Sequence, residues 1–270
     1  METSLSDLHI QELTKAVSLL ENPSIAAKIT NVIGMPIEKA IDFLPDNWQS
    51  SIGKITQKSL IKATEAAIWS LEDIKVDRPS NAWHKLGAAV SGGVGGFFGL
   101  PGLAVELPLS TTIMLRSIAD IARSEGELLS DNETKLACME VFALGGESTA
   151  DDDAESGYFV VRAALANSIT EASRFVATKK ISEESAPALV RFIVNVAARF
   201  NVLVTEKAAA QAIPAIGAVG GGIINTLFMD HFQNMAQGHF IVRRLERIYS
   251  PEEIKTWYNA ILELNLENAD

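Results

Sequence analysis

One cysteine, Cys138, stands in 270 residues, so no disulfide can form within the chain, and the usage fits a reducing compartment. Histidine is nearly as scarce. His9, His84, His231 and His239 are scattered and no His-Glu-x-x-His run exists, so no metal set is spelled out. Positive charge is short as well: 23 Lys and Arg against 34 Asp and Glu leave a net charge of -11. That excludes a nucleic-acid partner, because phosphates demand a basic surface, and it argues against simple electrostatic docking of the whole molecule on anionic lipid. The opening METSLSDLHIQELTKAV has no basic stretch followed by an apolar core, so it is not a signal peptide. A cytoplasmic protein is expected, peripheral at most to the inner face of a membrane. Alternating β-branched runs are absent too, which excludes a sheet-based fold.

What the chain does have is helical periodicity almost throughout. Apolar residues at helical spacing predict a helix over 6–21, two short segments punctuated by Asn22-Pro23 and Gly34-Met35-Pro36, and a longer helix over 48–72 opened by Pro45-Asp46-Asn47. DIKVDRPSN (73–81) is polar, contains Pro79 and reads as a linker. It divides an N-terminal helical cap, 1–72, from a body, 82–270. In the body, Ser130 with Glu133 reads as a capping box for a helix running to Leu144, which Gly145-Gly146 ends. Further helices are expected over 158–180 and from Ser182 and Pro187 to about 211. A long one ends near Tyr249, and a last one is capped by Ser250-Pro251-Glu252-Glu253. The expectation is an all-α fold of about nine helices.

Two glycine-rich segments organise the body. The first holds seven glycines between Gly87 and Gly102, and Leu86–Val105 carries no charge; after Glu106-Leu107-Pro108 an amphipathic helix is expected to begin. The second, within Ala208–Met229, is again uncharged and follows the same plan of proline, glycine cluster and helix. Small residues recur every fourth position in both, as in Ala88/Gly92/Gly96 and Ile213/Gly217/Gly221, which lets another backbone approach closely. The segments are therefore expected to pack on each other as a hairpin-like core. The glycines and Pro101 weaken a membrane-spanning helix, so buried core or reversible insertion is the expectation for both runs.

No nucleotide or metal chemistry is spelled out. Gly-Phe-Phe-Gly-Leu-Pro-Gly has no Walker lysine, and no strand leads into a dinucleotide turn or a nucleophile elbow. Asp151, Asp153 and Glu155 have calcium-loop spacing, but Ser156 stands where glycine is required and Arg162 where glutamate is. No cofactor is expected. Glu106 is the first charge after the uncharged run, so it reads either as a helix cap or as a partly buried acid. Arg116, Asp120, Arg123 and Glu127 fall on one helical stripe, with Arg116 the nearest downstream cation to Glu106. His231 lies on an apolar face, and Asn225 could bond across the glycine segments. Arg243, Arg244 and Arg247 make a basic helix end that suits the helix dipole and could also touch lipid phosphates.

Two stretches resemble the EcsC family of bacterial proteins, named for a companion of an ABC transporter. They are HKLGAAVSGGVGGFFGLPGLAVELPLSTTIMLRSIADIA and IPAIGAVGGGIINTLFMDHFQNMAQGHFIVRRLE. The matching positions are His84, Gly99, Pro101, Gly102, Glu106, Pro108, Arg116, Pro214, Gly217, Asn225 and Arg244. The resemblance implies an association with membrane transport or secretion and no assigned activity. The preferred expectation is a non-enzymatic, membrane-peripheral accessory protein. It would bind lipid, a hydrophobic ligand or a component of a transport or secretion system through the glycine hairpin, with Glu106, Arg116, His84, Asn225, His231, Phe97 and Phe98 as candidate binding residues. A hydrolase using Glu106 and His231, and a purely structural interaction protein, remain the alternatives.

Overall fold

The computed structural model describes residues 5–21, 25–70, 99–146, 157–177, 186–213 and 217–267. The linker 73–81, the acidic loop 147–156, His84, Phe97 and Phe98 lie outside these residues. Ten α-helices and no strand are found among the described residues: α1 (Asp7–Leu20), α2 (Ile25–Ile33), α3 (Ile37–Ile41), α4 (Trp48–Ser70), α5 (Gly99–Ser124), α6 (Asn132–Glu140), α7 (Gly157–Ala177), α8 (Ala186–Ala212), α9 (Gly217–Ile248) and α10 (Pro251–Glu267). A 3₁₀ turn over Val141–Ala143 follows α6.

The helices begin where side-chain acceptors are available for the free N–H groups of a first turn. Ser6 Oγ accepts from the His9 amide, and Ser250 Oγ accepts from the Glu253 amide. For α6 the cap is Asp131, whose carboxylate accepts from the Glu133 amide. The expected cap, Ser130, stands one residue too early. Gly126, at φ +83, supplies the left-handed turn that ends α5.

The largest departure from expectation is α5 itself. Pro108 does not start this helix; it lies inside it, and α5 runs continuously from Gly99. Proline deprives the Ala104 carbonyl of its amide donor, and Ala104 is exposed, where water can serve instead. Thr112 Oγ1 donates to the Pro108 carbonyl at 2.8 Å. Glu106 therefore sits in the body of a helix, and the cap reading is overturned.

The expected packing of the two glycine segments on each other falls largely on 87–98 and 214–216, outside the described residues; the helices that follow them, α5 and α9, are neighbours. Their cross-links rise together along the chain: Glu106 to Asn225, Ser117 to Gln233 and, just past the end of α5, Glu125 and Glu127 to Arg244 and Arg243. That order makes the pair parallel. α4 covers α5, α1 lies along α9, and α8 packs on α7, α4 and α3. Phe142, Phe200, Phe228 and Phe232, with ring centroids 5.0–6.2 Å apart, fill the centre. α1 comes close to α9 at Gly238, where a Cβ would lie 2.6 Å from Leu20 Cγ and 3.1 Å from the Ala16 carbonyl oxygen.

Candidate functional site

Glu106 is 4% exposed although it is charged, and three helices explain how that is tolerated. From α8, Lys207 Nζ donates to Oε1 at 2.9 Å and to Oε2 at 3.0 Å. From α9, Asn225 Nδ2 donates to Oε1 at 2.9 Å. Ser110, one turn along α5, adds a further hydrogen bond. Lys207 is itself fully buried, and its ammonium lies 5.0 Å from the centre of the Phe228 ring, a favourable cation–π placement. Burial pushes the Glu106 carboxyl up, but the Lys207 charge and the hydrogen bonds from Lys207, Asn225 and Ser110 outweigh it. The group is held below the ordinary carboxylate range. A general acid needs the opposite shift. The arrangement favours the charged carboxylate.

Two of the seven expected site residues, Glu106 and Asn225, are thus brought together. Arg116 is not with them. It is exposed and stands ten residues further along the unbroken α5, ~15 Å by helical rise. His231 is buried elsewhere on α9, with its ring against Gly145, where an added Cβ would collide with it. The ring donates to the Leu144 carbonyl, and burial followed by the Lys28 charge brings its pKa down to about 4. Its Nε2 has no hydrogen-bond partner. The remaining three, His84, Phe97 and Phe98, lie outside the described residues.

Lys207 was not anticipated, yet the sequence carried a signal for it. Glu106 closes one uncharged run and Lys207 immediately precedes the other. Two long uncharged segments edged by single charges of opposite sign are the pattern that a buried ion pair between them produces.

A second set of buried polar groups gathers toward the C-terminal ends of α5 and α9. Glu127 accepts from Arg243 Nε at 2.9 Å, from Arg247, and from Thr134 Oγ1 at 3.0 Å. Arg244 bridges Glu125 at 2.8 Å and Glu12 of α1 at 3.1 Å. Arg243, Arg244 and Arg247 therefore meet carboxylates of the chain itself, and Glu127 leaves the expected exposed stripe for the interior. Deeper still, His239 Nδ1 lies 3.0 Å from Tyr158 Oη, and its Nε2 is 3.7 Å from Glu140 Oε2. Burial raises Glu140 to about 7 despite Arg162 and Arg243, and burial with the same arginines holds His239 well below its ordinary value. Tyr158 stacks on Tyr258 with centroids 5.6 Å apart, and Tyr258 Oη donates to Glu21 at 2.8 Å. Among the described residues no group of three or more His, Cys, Asp and Glu side chains could hold a metal ion.

The family model described as the EcsC protein family matches residues 3–245. That span includes the N-terminal helices as well as both glycine-rich segments. Neither a curated protein nor a solved structure matches the chain.

Proposed function

We propose, for a chain that belongs to the EcsC protein family, a non-catalytic accessory role at a membrane surface, with contact made through the uncharged end of the α5/α9 pair. The observation that carries this reading is the neutral, apolar character of that end. Val105 is 76% exposed and Leu109 54% exposed on α5, and Ile223 is exposed on α9. Glu106 is the only charge between Leu86 and Leu115, and none occurs between Ala208 and Met229. Lys207 cancels Glu106 from within. An apolar patch with its one charge neutralised beneath it can enter the lipid interface without carrying a bare ion there. The catalytic use of Glu106 and His231 draws no support from this arrangement, because the carboxylate is fully engaged and the imidazole lies apart from it.

Flotation of the purified full chain with phospholipid vesicles tests the reading. Wild-type protein is expected in the floating fraction, and Val105→Glu with Leu109→Glu is expected to remain at the bottom while keeping its helical circular dichroism. Wild-type protein that never floats, and that carries no lipid in native mass spectra, would remove the reading.

A further inference from the structure

Glu106 has Lys207 to itself, whereas the other deeply buried carboxylate, Glu140, has no cation of its own. It is 3% exposed and closes α6. The two arginines whose charge reaches it are already committed. Arg162 of α7 donates to both carboxylate oxygens of Glu246, at 2.7 and 3.0 Å. Arg243 of α9 donates to Glu127 at 2.9 Å. Glu140 Oε1 has no hydrogen-bond partner, and Oε2 lies 3.7 Å from Nε2 of His239, which is likewise without a hydrogen bond.

An ionised Glu140 is therefore a buried charge without a partner, at the carbonyl end of a helix where the dipole opposes it as well. A proton removes both penalties and gives the carboxyl an O–H to donate. His239 offers the acceptor. The ring is fully buried beside the same two arginines, which keep it neutral, so one of its nitrogens holds a lone pair. An approach of about 1 Å turns the Glu140–His239 separation into a hydrogen bond. With Nε2 accepting, Nδ1 carries the ring hydrogen and donates to Tyr158 Oη, 3.0 Å away. One proton thus ties α6, α9 and the start of α7 together.

The other titratable groups around this site are accounted for. Burial pushes up the thiol of Cys138 on α6 and the phenol of Tyr158, so both stay neutral. Tyr158 stacks on Tyr258 of α10, which donates to Glu21 of α1. Glu127, just past α5, is held by Arg243, Arg247 and Thr134. From α4, the uncharged Thr64 meets Met139 Sδ at 3.3 Å. Arg162 and Glu246 stand nearer the surface, with side chains 21% and 11% exposed. Water can reach Glu246 when its arginine leaves, so Arg162 is the cation able to turn to Glu140.

We propose that Glu140 and His239 form a buried proton-binding site that works as a pH switch. With the proton in place, the carboxyl bonds to His239 and Arg162 stays with Glu246. When the proton leaves, Arg162 turns from Glu246 to Glu140, and the N-terminal turns of α7 move with it. The switch is independent of the membrane reading above.

The test is infrared spectroscopy of the full chain across pH, following the carbonyl band of a protonated buried carboxylic acid, with amide hydrogen exchange of α7 measured on the same samples. Wild-type protein should keep such a component well above the ordinary value of 4.5 and lose it through about pH 7. The amides of α7 should exchange faster, relative to their intrinsic rates, once it is gone. Glu140→Gln should remove that component, leave any from Glu21, whose carboxyl burial also raises, and keep α7 protected at every pH. Glu246→Gln frees Arg162 and should move the transition down by about one unit or more. Arg162→Gln removes the available cation and should move it up by a similar amount. Damage to the fold does not shift one midpoint in two opposite directions, and if Arg162→Gln fails to fold, the downward shift in Glu246→Gln decides. Histidine-ring NMR should show His239 neutral on both sides of the transition. A titrating component that survives Glu140→Gln, its absence from wild type, or an imidazolium at His239 overturns the proton assignment. An unmoved midpoint in Glu246→Gln, or α7 exchange that ignores the transition, overturns the switch.

Discussion

The two ends of the parallel α5/α9 pair solve the same problem in opposite ways. At the N-terminal end a single carboxylate and a single ammonium are sealed together, with Asn225 completing the shell. At the C-terminal end Glu125 and Glu127 share Arg243, Arg244 and Arg247, and Glu12 and Thr134 join from other helices. The first arrangement has one cation and is closed off from the surface, with Glu106 4% exposed and Lys207 fully buried. The second has several partners and side chains that reach solvent, with Arg247 44% exposed. The contrast teaches that the number of charges is a poor guide to what removing one of them costs. Burial and redundancy decide it.

The sharpest way to break the comparison is Lys207→Met. It strands the Glu106 carboxylate in the interior, and breaking a buried pair from one side costs about 3–5 kcal/mol. The Glu106→Gln/Lys207→Met double variant should recover much of that loss, as read by urea denaturation of all three variants beside wild type. Additive losses would show that the two residues are not one unit.

Next in size is a response to pH that differs in sign among the buried carboxylates. Glu140, beside Arg243 at the charged end, has a folded pKa of about 7 against an ordinary 4.5. Its stabilising contribution is fully present below the unfolded value and is lost as pH rises through about 7, amounting to up to about 3 kcal/mol. Glu106 and Glu127 are held below the ordinary value, so their contribution is present above 4.5 and is lost as pH falls through their lowered folded values. The Glu140 contribution should therefore fall between pH 4.5 and 7, while buried His231 and His239, whose folded values are lowered, add stability that grows with pH over the same range. Glu140→Gln should make melting temperature climb more steeply between pH 4.5 and 7 than in wild type while leaving the acid limb in place. An unchanged slope would mean that Glu140 does not titrate in that range.

The smallest expected effect is at the redundant end. Glu127→Gln keeps the shape of the side chain and its contact with Thr134, and the arginines it releases can reach water. A loss of roughly 1–2 kcal/mol is expected. A loss as large as that of Lys207→Met would mean that the C-terminal network is as dry as the N-terminal pair, and the contrast between the ends would collapse.

Much of the fold was legible because helical periodicity and caps are local. Ser6, Asn47 and Ser250 mark helix starts close to where they were expected, and α4, α8, α9 and α10 follow their apolar spacing. The errors came where a local rule met tertiary packing. Pro108 reads as a helix start because proline suits a first turn, but burial of Leu103 and Leu107 under α4 and α9 draws the helix back to Gly99. The helices that follow the two glycine segments are neighbours, but small residues serve parallel and antiparallel helices alike, so their parallel direction was invisible. At the candidate site, Glu106 stood out because it ends an uncharged run. Its pairing with Arg116 failed because nearness in sequence says nothing about a residue 101 positions later.

The sequence alone determined an all-helical chain, through its 3.6-residue periodicity, its caps and the lack of alternating strands. It also singled out Glu106, as a helix cap or a partly buried acid, and Asn225, as a residue able to bond across the glycine segments. Only the tertiary structure decided which partners those are. A buried carboxylate takes whichever cation the packing of three helices brings within 3 Å, and here that cation is Lys207. The same packing turned Glu127 inward toward Arg243 and left the valines of α8 facing out. Those outcomes depend on which faces of the helices meet, a property of the whole assembly that no single stretch of chain contains.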